Sequence, residues 1–288
     1  MDRHEKEMLE MNSKKRFYKL FKDYKEIKDS GITTMQSVEF SKELIGTRNC
    51  ILSFVDSIIS DSSIAIIDEE DIEAEVLGEL EKAAEQGLDA INKVVGEKKT
   101  RVTSNIIVSN KIINDLQPEE DFKNIIMKRI AKKISNVIIN GNEKFTGKSL
   151  NSSSTTLAGE CSADNLRNLM LEMDEEYLAN ALFIISKENF KLISKEKKVN
   201  GEFYVTFNSE IGLYEIHDMP LLVVDELIDA NALLVDINSA YRAIISPNID
   251  VRDFSQDMAL NYVGKNGLII SVYFDGNIKN ENAIRKLA

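Results

Sequence analysis

Residues 114–142 read NDLQPEEDFKNIIMKRIAKKISNVIINGN, and this stretch decides the class of fold. Pro118 suits the first position of a helix, where its missing N–H would be unpaired anyway. Glu119, Glu120 and Asp121 follow at the end of the helix dipole that favours negative charge. Phe122, Ile125, Ile126, Ile130, Ile134, Val137 and Ile138 then hold one apolar face for about twenty residues at helical spacing. Lys128, Arg129, Lys132 and Lys133 populate the second half, and Asn140-Gly141 ends it. One long amphipathic helix needs a broad surface to pack on.

The flanking segments supply it. Residues 102–113, VTSNIIVSNKII, are rich in β-branched residues and read as a strand or strand pair. Downstream, NSSSTTL (151–157) is a polar loop, and Ser162 caps a helix that turns Leu166, Leu169, Met170, Met173 and Tyr177 inward. The continuous apolar run from Ala181 reads as a buried strand, followed by a short helix over 187–195. Asn200-Gly201 offers turn chemistry before a strand at 202–207. Further strands are expected at 220–225, 232–237, 241–245, 258–263 and 268–274, with Asp275-Gly276-Asn277 as the last turn. Upstream, Phe17, Leu20, Phe21, Tyr24 and Ile27 follow helical spacing and Gly31 closes that helix. A second helix is expected near 35–45, and Cys50 to Ile59 reads as extended. The total is α+β, with no internal repeat and no linker separating two independent domains.

Composition narrows the function classes. The chain has 288 residues, 43% hydrophobic and 29% charged, which is a globular balance. Its 36 basic and 48 acidic side chains give a net charge of −12, a poor basis for coating duplex DNA. Two cysteines, Cys50 and Cys161, make neither a disulfide framework nor a zinc-spacing motif, which fits a reducing compartment. Two histidines leave little room for an imidazole metal cluster or a histidine-based triad. No apolar run approaches the roughly 18 residues of a membrane span, and the amino terminus is charged rather than a secretory signal.

The acids are not evenly spread. Between Asp61 and Asp89 there are 11 acids against one base, Lys82, including DEEDIEAE over 68–75. Lys93, Lys98, Lys99 and Arg101 follow at once. Such a segment can pair with itself as a hairpin, lie across an oppositely charged neighbour, or form a solvated face.

The sharpest enzyme-like feature is GNEKFTGKSL, Gly141 to Leu150, which looks like a phosphate-binding loop. Five residues rather than four separate Gly141 from Gly147, and the loop follows a helix where a nucleotide loop follows a strand. No calcium-loop spacing occurs among the carboxylates. His217, before Asp218 and Met219-Pro220, reads as a structural histidine at a turn. Cys161 has no histidine motif beside it. No catalytic, cofactor-binding or metal-binding residue is assigned, and the chain is not expected to be an enzyme.

Taken in order, the segments resemble the major capsid protein of tailed bacteriophages, of the Hong Kong 97 type (the phage capsid family). The resemblance runs from about Asn49 to the end. It is carried by AEVLGELEKAAEQ (74–86) in place of the family's acidic E-loop motif, a segment like VSNKIINDL (108–116), and then the long "spine" helix with its Asn140-Gly141 end and Gly147. ALFIISKENFKLI (181–193), Asn200-Gly201, DMPLLVVDEL (218–227), ALLVDINSAYRAII (232–245) and the closing LIISVYFDGNIKNENAIRKLA (268–288) continue it.

The resemblance implies a Hong Kong 97-type capsid fold with an N-terminal arm (1–60), an E-loop (61–103), a peripheral domain (104–158, with returning strands 256–276), an axial domain (159–255) and a C-terminal segment (277–288). It implies self-assembly as hexamers and pentamers into an icosahedral shell around double-stranded DNA, bound without sequence specificity. A scaffolding protein or protease, a portal and a decoration protein are the implied partners. The virion capsid, reached through the host cytoplasm, is the implied location. Glu75, Glu79 and Glu81 are expected to meet basic side chains of an adjacent subunit, with Lys98, Lys99 and Arg101 making reciprocal contacts. An encapsulin-like nanocompartment shell shares the fold and is the alternative. A nucleotide-binding enzyme using the Gly141–Ser149 loop and a DNA-coating protein are lower ones.

Overall fold

The computed structural model describes residues 25–29, 32–47, 50–66, 93–109, 119–153, 156–253, 263 and 265–288. Its strands are β1 (Lys25–Asp29), β2 (Ile32–Gln36), β3 (Asp56–Ile59), β4 (Ile64–Ile66), β5 (Lys93–Val95), β6 (Thr100–Ser109), β7 (Thr156–Leu157), β8 (Leu182–Ser186), β9 (Val205–Asn208), β10 (Leu213–Ile216), β11 (Met219–Val224), β12 (Ala232–Val235), β13 (Tyr241–Asp253), β14 (Lys265–Ile278) and β15 (Ile284–Leu287). The helices are α1 (Val38–Ile45), α2 (Glu119–Asn140), α3 (Ala163–Leu171), α4 (Glu175–Leu178), α5 (Lys187–Ile193) and α6 (Ile237–Ala240).

The long helix α2 forms as its sequence predicts. Ile126, Met127, Ile130, Ala131, Ile134, Val137 and Ile138 are buried along one face. Gly141 stops it in the left-handed region at φ 78°, and its N–H returns to the Val137 carbonyl at 2.8 Å, the close that glycine permits without a Cβ clash. Pro118 lies outside the described residues. Lys123, buried on this helix, ion-pairs with Glu43 of α1.

Strands of two sheets contribute to this core. The first runs β1-β2-β13-β14-β6, with β3 added in parallel to β13. At Ser246-Pro247-Asn248 the β13 register shifts, a bulge that suits proline, which cannot donate to a ladder. The freed Pro247 carbonyl accepts the Ser37 N–H at 2.9 Å, and Ser37 caps α1. The second sheet runs β7-β15-β12-β8-β11-β10-β9. Both faces of β8 are covered: Leu182 and Ile184 point into the core shared with α2, while Phe183 and Ile185 point into a second core under α3 and α5. Strands buried on both sides need continuous apolar runs, which is why LFII and ALLV do not alternate. One core therefore touches both sheets, and the chain is interleaved.

Several expectations are corrected. The helix expected to run through Tyr24 and Ile27 is, from Lys25 on, a hairpin with Asp29 opposite Ile32; pairing of β2 with β13 outweighs a local apolar periodicity of three- and four-residue spacings. Cys50–Ile59 is not extended throughout, because Ile51–Ser53 form a 3-10 turn closed by the Ser53 hydroxyl on the Cys50 carbonyl at 2.8 Å. The strand expected over 232–237 ends at Val235, since Asp236 caps α6 by accepting the Ser239 N–H and hydroxyl. Asp275-Gly276-Asn277 is no turn; it lies within β14, opposite Ile244, Ala243 and Arg242. In the sheets, 241–253 joins the strands under α2, and 284–287 joins the sheet formed by 182–235. The strand expected at 258–263, the acidic run and residues 1–24 lie outside the described residues.

Candidate assembly interface

Strands β4 and β5, which flank residues 67–92 in sequence, pair as one small ribbon, Ile64 to Val95 and Ile66 to Lys93. Ile66 and Val95 bury themselves against Ile244 of β13. Two polar clamps hold this root. Asp61 accepts the Ser246 hydroxyl at 2.5 Å and the Asn248 amide at 2.7 Å, and Lys99 Nζ lies 3.3 Å from Asp61 and 3.1 Å from the Ser60 carbonyl. The β13 bulge thus presents its side chains to the ribbon.

On the other side, the Gly96 N–H donates to the Asp275 carboxylate at 2.6 Å. Gly96 sits at φ 98°, and a Cβ there would lie 3.1 Å from the Ser63 Cα. Asp275 is buried, and burial pushes its carboxyl up; the Gly96 and Gly276 N–H groups and Lys99 pull against that rise, while Glu97 adds to it. Beside the ribbon, Glu97, Lys98, Thr146, Gly147 and Asn277 line a cleft of about 230 Å³.

The candidate contact residues are thereby placed. Lys98 is exposed at the cleft, Lys99 is committed to Asp61 within the chain, and Arg101 donates to the Ser271 hydroxyl at 2.8 Å. Glu75, Glu79 and Glu81 lie outside the described residues. The three bases therefore share one root: Lys98 and Arg101 are both exposed and make no ion pair among the described residues, but Arg101 is held by Ser271 whereas Lys98 has no such tie.

Of the two glycines of GNEKFTGKSL, Gly141 ends α2 and Gly147 serves packing. A Cβ on Gly147 would fall 1.8 Å from the Gly276 carbonyl oxygen, so this loop lies directly on β14. Phe145 stacks on Phe274 with centroids 5.5 Å apart, and Lys148 pairs with Glu281 at 2.9 Å. His217 and Asp218, both at positive φ, form the two-residue turn between β10 and β11 that hairpin twist favours. The His217 ring Nε2 lies 2.8 Å from the Ala163 carbonyl. Burial pushes the Cys161 thiol up to about 12 and raises that of Cys50, which keeps both thiols protonated. Among the described residues no group of His, Cys, Asp and Glu could hold a metal ion, and no helix is long and apolar enough to cross a membrane.

A second surface was not singled out by sequence. Among the described residues strand β9 is an edge of its sheet, and the β9–β10 hairpin exposes Phe207, Ile211 and Tyr214, with Phe203, Leu192 and Val199 exposed beside it. Tyr214 packs on Phe190 and Phe207, with centroids at 4.7 and 5.3 Å. An apolar cluster on an unpaired edge is a surface for another chain. The signal lay in Phe203, Phe207 and Tyr214 clustered within twelve residues, but only the edge position makes it legible.

These features have counterparts among known proteins. The model of the phage capsid family matches residues 43–288. The capsid of an empty GTA particle is similar at 14% identity and a TM-score of 0.65, over 84% of this chain and 89% of that one. The Gordonia phage Cozz structure is similar at 16% identity and 0.55, over 83% and 86%. The holo-SrpI encapsulin complex from Synechococcus elongatus is similar at 14% and 0.55, over 84% and 87%. At such identities the likeness is one of fold. No curated protein matches. With a long helix that shares one core with strands of two sheets, the β4–β5 ribbon and a family match covering 43–288, the chain has the Hong Kong 97-type capsid fold and belongs to the phage capsid family.

Proposed function

We propose that the chain is a major capsid protein, assembling as hexamers and pentamers into the icosahedral head shell of a tailed bacteriophage or prophage. The observation that carries this reading is the exposed apolar cluster at Phe203, Phe207 and Tyr214, a surface a single chain leaves uncovered; the clamped β4–β5 ribbon that flanks residues 67–92 supports it. In this reading the sheet under α2 is the peripheral domain, the β8-centred sheet is the axial domain, residues 61–103 are the E-loop and residues 1–60 the N-terminal arm. The acidic arm with Glu75, Glu79 and Glu81 reaches the basic side chains of an adjacent subunit, and Lys98 is the base best placed to reciprocate. Lys99 and Arg101 instead brace the root from which the arm departs. One exposed pair contributes only about 0–1 kcal/mol, so repetition around a closed shell supplies the stability.

A nanocompartment shell is the second reading, favoured by the fold shared with the SrpI encapsulin. Nuclease treatment of particles purified from the producing cell separates the two. Protected double-stranded DNA is the expected result. Particles filled with protein and free of DNA support the nanocompartment.

A further inference from the structure

The outward face of α2 carries Lys128, Arg129, Lys132 and Lys133, all exposed, and residues 122–142 contain no acid at all. In a chain of net charge −12 that is a segregated positive surface. We infer that this stripe is where the shell protein touches the sugar–phosphate backbone of packaged duplex DNA; the inference rests on the shell reading above.

The stripe has the right form for a polyanion. Positions 128 and 132, like 129 and 133, lie one helical turn apart, about 6 Å along the axis, so four cations cluster within two turns. Arg129 is steadied by the Asn105 carbonyl at 3.3 Å. Lys132 shares Asp225 with Lys187, and Asp225 and Glu226 bound the stripe at that end. Lys128 and Lys133 have no ion-pair partner among the described residues. The rest of the face is Asn124 and Asn136, with Ile125 its exposed apolar side chain.

A wet, lysine-rich face with so little apolar area is unlike the core of a protein–protein contact, which is depleted in lysine and rich in aromatic rings. This chain keeps its exposed rings on the β9–β10 hairpin instead. Phosphates require no shape complementarity, only neutralised charge. Three or four contacts per copy bind weakly, which holds DNA against a wall while letting it slide during filling and exit.

The test is a titration of the full-length chain, kept below the concentration at which shells form, with a fluorescent duplex of about 30 base pairs over a range of salt concentrations. For three phosphate contacts, log K against log salt falls with a slope near −3. The double substitution Lys128→Gln, Lys133→Gln reduces that steepness by about 2, alike on unrelated DNA sequences. Both sites are exposed and glutamine keeps helix propensity, so the thermal midpoint stays unchanged. A double variant with the wild-type slope overturns the inference. So does a wild type that ignores the duplex but binds the peptide DEEDIEAE through the same lysines, because the partner is then a neighbouring subunit's arm. Whether wild-type shells form is read separately by microscopy. Their absence overturns the shell reading and leaves the slope to report on the stripe alone.

Discussion

Gly147 and Gly201 are both glycines in loops, yet the fold uses them for different reasons. At Gly147 a methyl group would sit 1.8 Å from a backbone oxygen of β14, and neither partner is a flexible side-chain tip. At Gly201 only the backbone at φ 87° objects, with nothing within 4 Å. Gly147→Ala is therefore expected to cost about 3 kcal/mol by overpacking, and Gly201→Ala about 1 kcal/mol through its left-handed backbone, as read from denaturant unfolding. Asp275 makes the matching electrostatic case. Its carboxyl is raised by burial, so the folded state holds a proton more readily than the unfolded one. Its contribution to stability is then fully present below the ordinary value near 4 and is lost as pH rises through the raised value. Asp275→Asn gives up one of two acceptors and loses absolute stability. The decline of stability with rising pH above about 4 should nevertheless be shallower in the variant. Parallel pH profiles for the two proteins contradict this placement of the charge.

At the scale of elements, the E-loop and the edge hairpin should fail in different ways. Glu79→Lys with Glu81→Lys reverses charge on the arm and is expected to impair shell assembly while leaving the unfolding midpoint of the chain unchanged; normal particles refute the arm's role. Phe207→Ser removes an exposed ring that touches Tyr214 at one edge. It should raise the concentration needed for assembly, measured by light scattering, with little change in the stability of the unassembled chain. How far these elements could be read in advance follows their physics. Helix α2 carries its periodicity, cap residues and terminal glycine in one continuous stretch, so its whole described length was legible. Strands β8 and β12 announced themselves by unbroken apolar runs. The β1–β2 hairpin was not legible, because its pairing partner β13 lies over two hundred residues away. Asp275-Gly276-Asn277 has turn chemistry, but Gly276 is needed where a Cβ would lie 2.6 Å from the Tyr241 ring. Close packing, not chain reversal, accounts for that glycine. The basic half of the candidate contact was legible as residues and not as roles: sequence put Lys98, Lys99 and Arg101 together, and only the fold shows Lys99 bound to Asp61 and Arg101 to Ser271.

For the whole molecule, charge and topology point the same way. Residues 61–89 hold a net charge of −10, leaving the rest of the chain at −2. The acidity belongs mainly to one segment, flanked in sequence by the two strands of a clamped ribbon, and the positive stripe lies on the long helix. A protein that works alone has little use for such segregation; a repeated subunit can set one sign against the other on its neighbours or contents. Both sheets share one core with α2. The measurement that bears most directly on this is sedimentation velocity of the expressed full-length chain, with negative-stain microscopy of each boundary. Closed shells accompanied by hexamers or pentamers are expected. A chain that remains monomeric at every concentration and hydrolyses ATP would contradict the assignment.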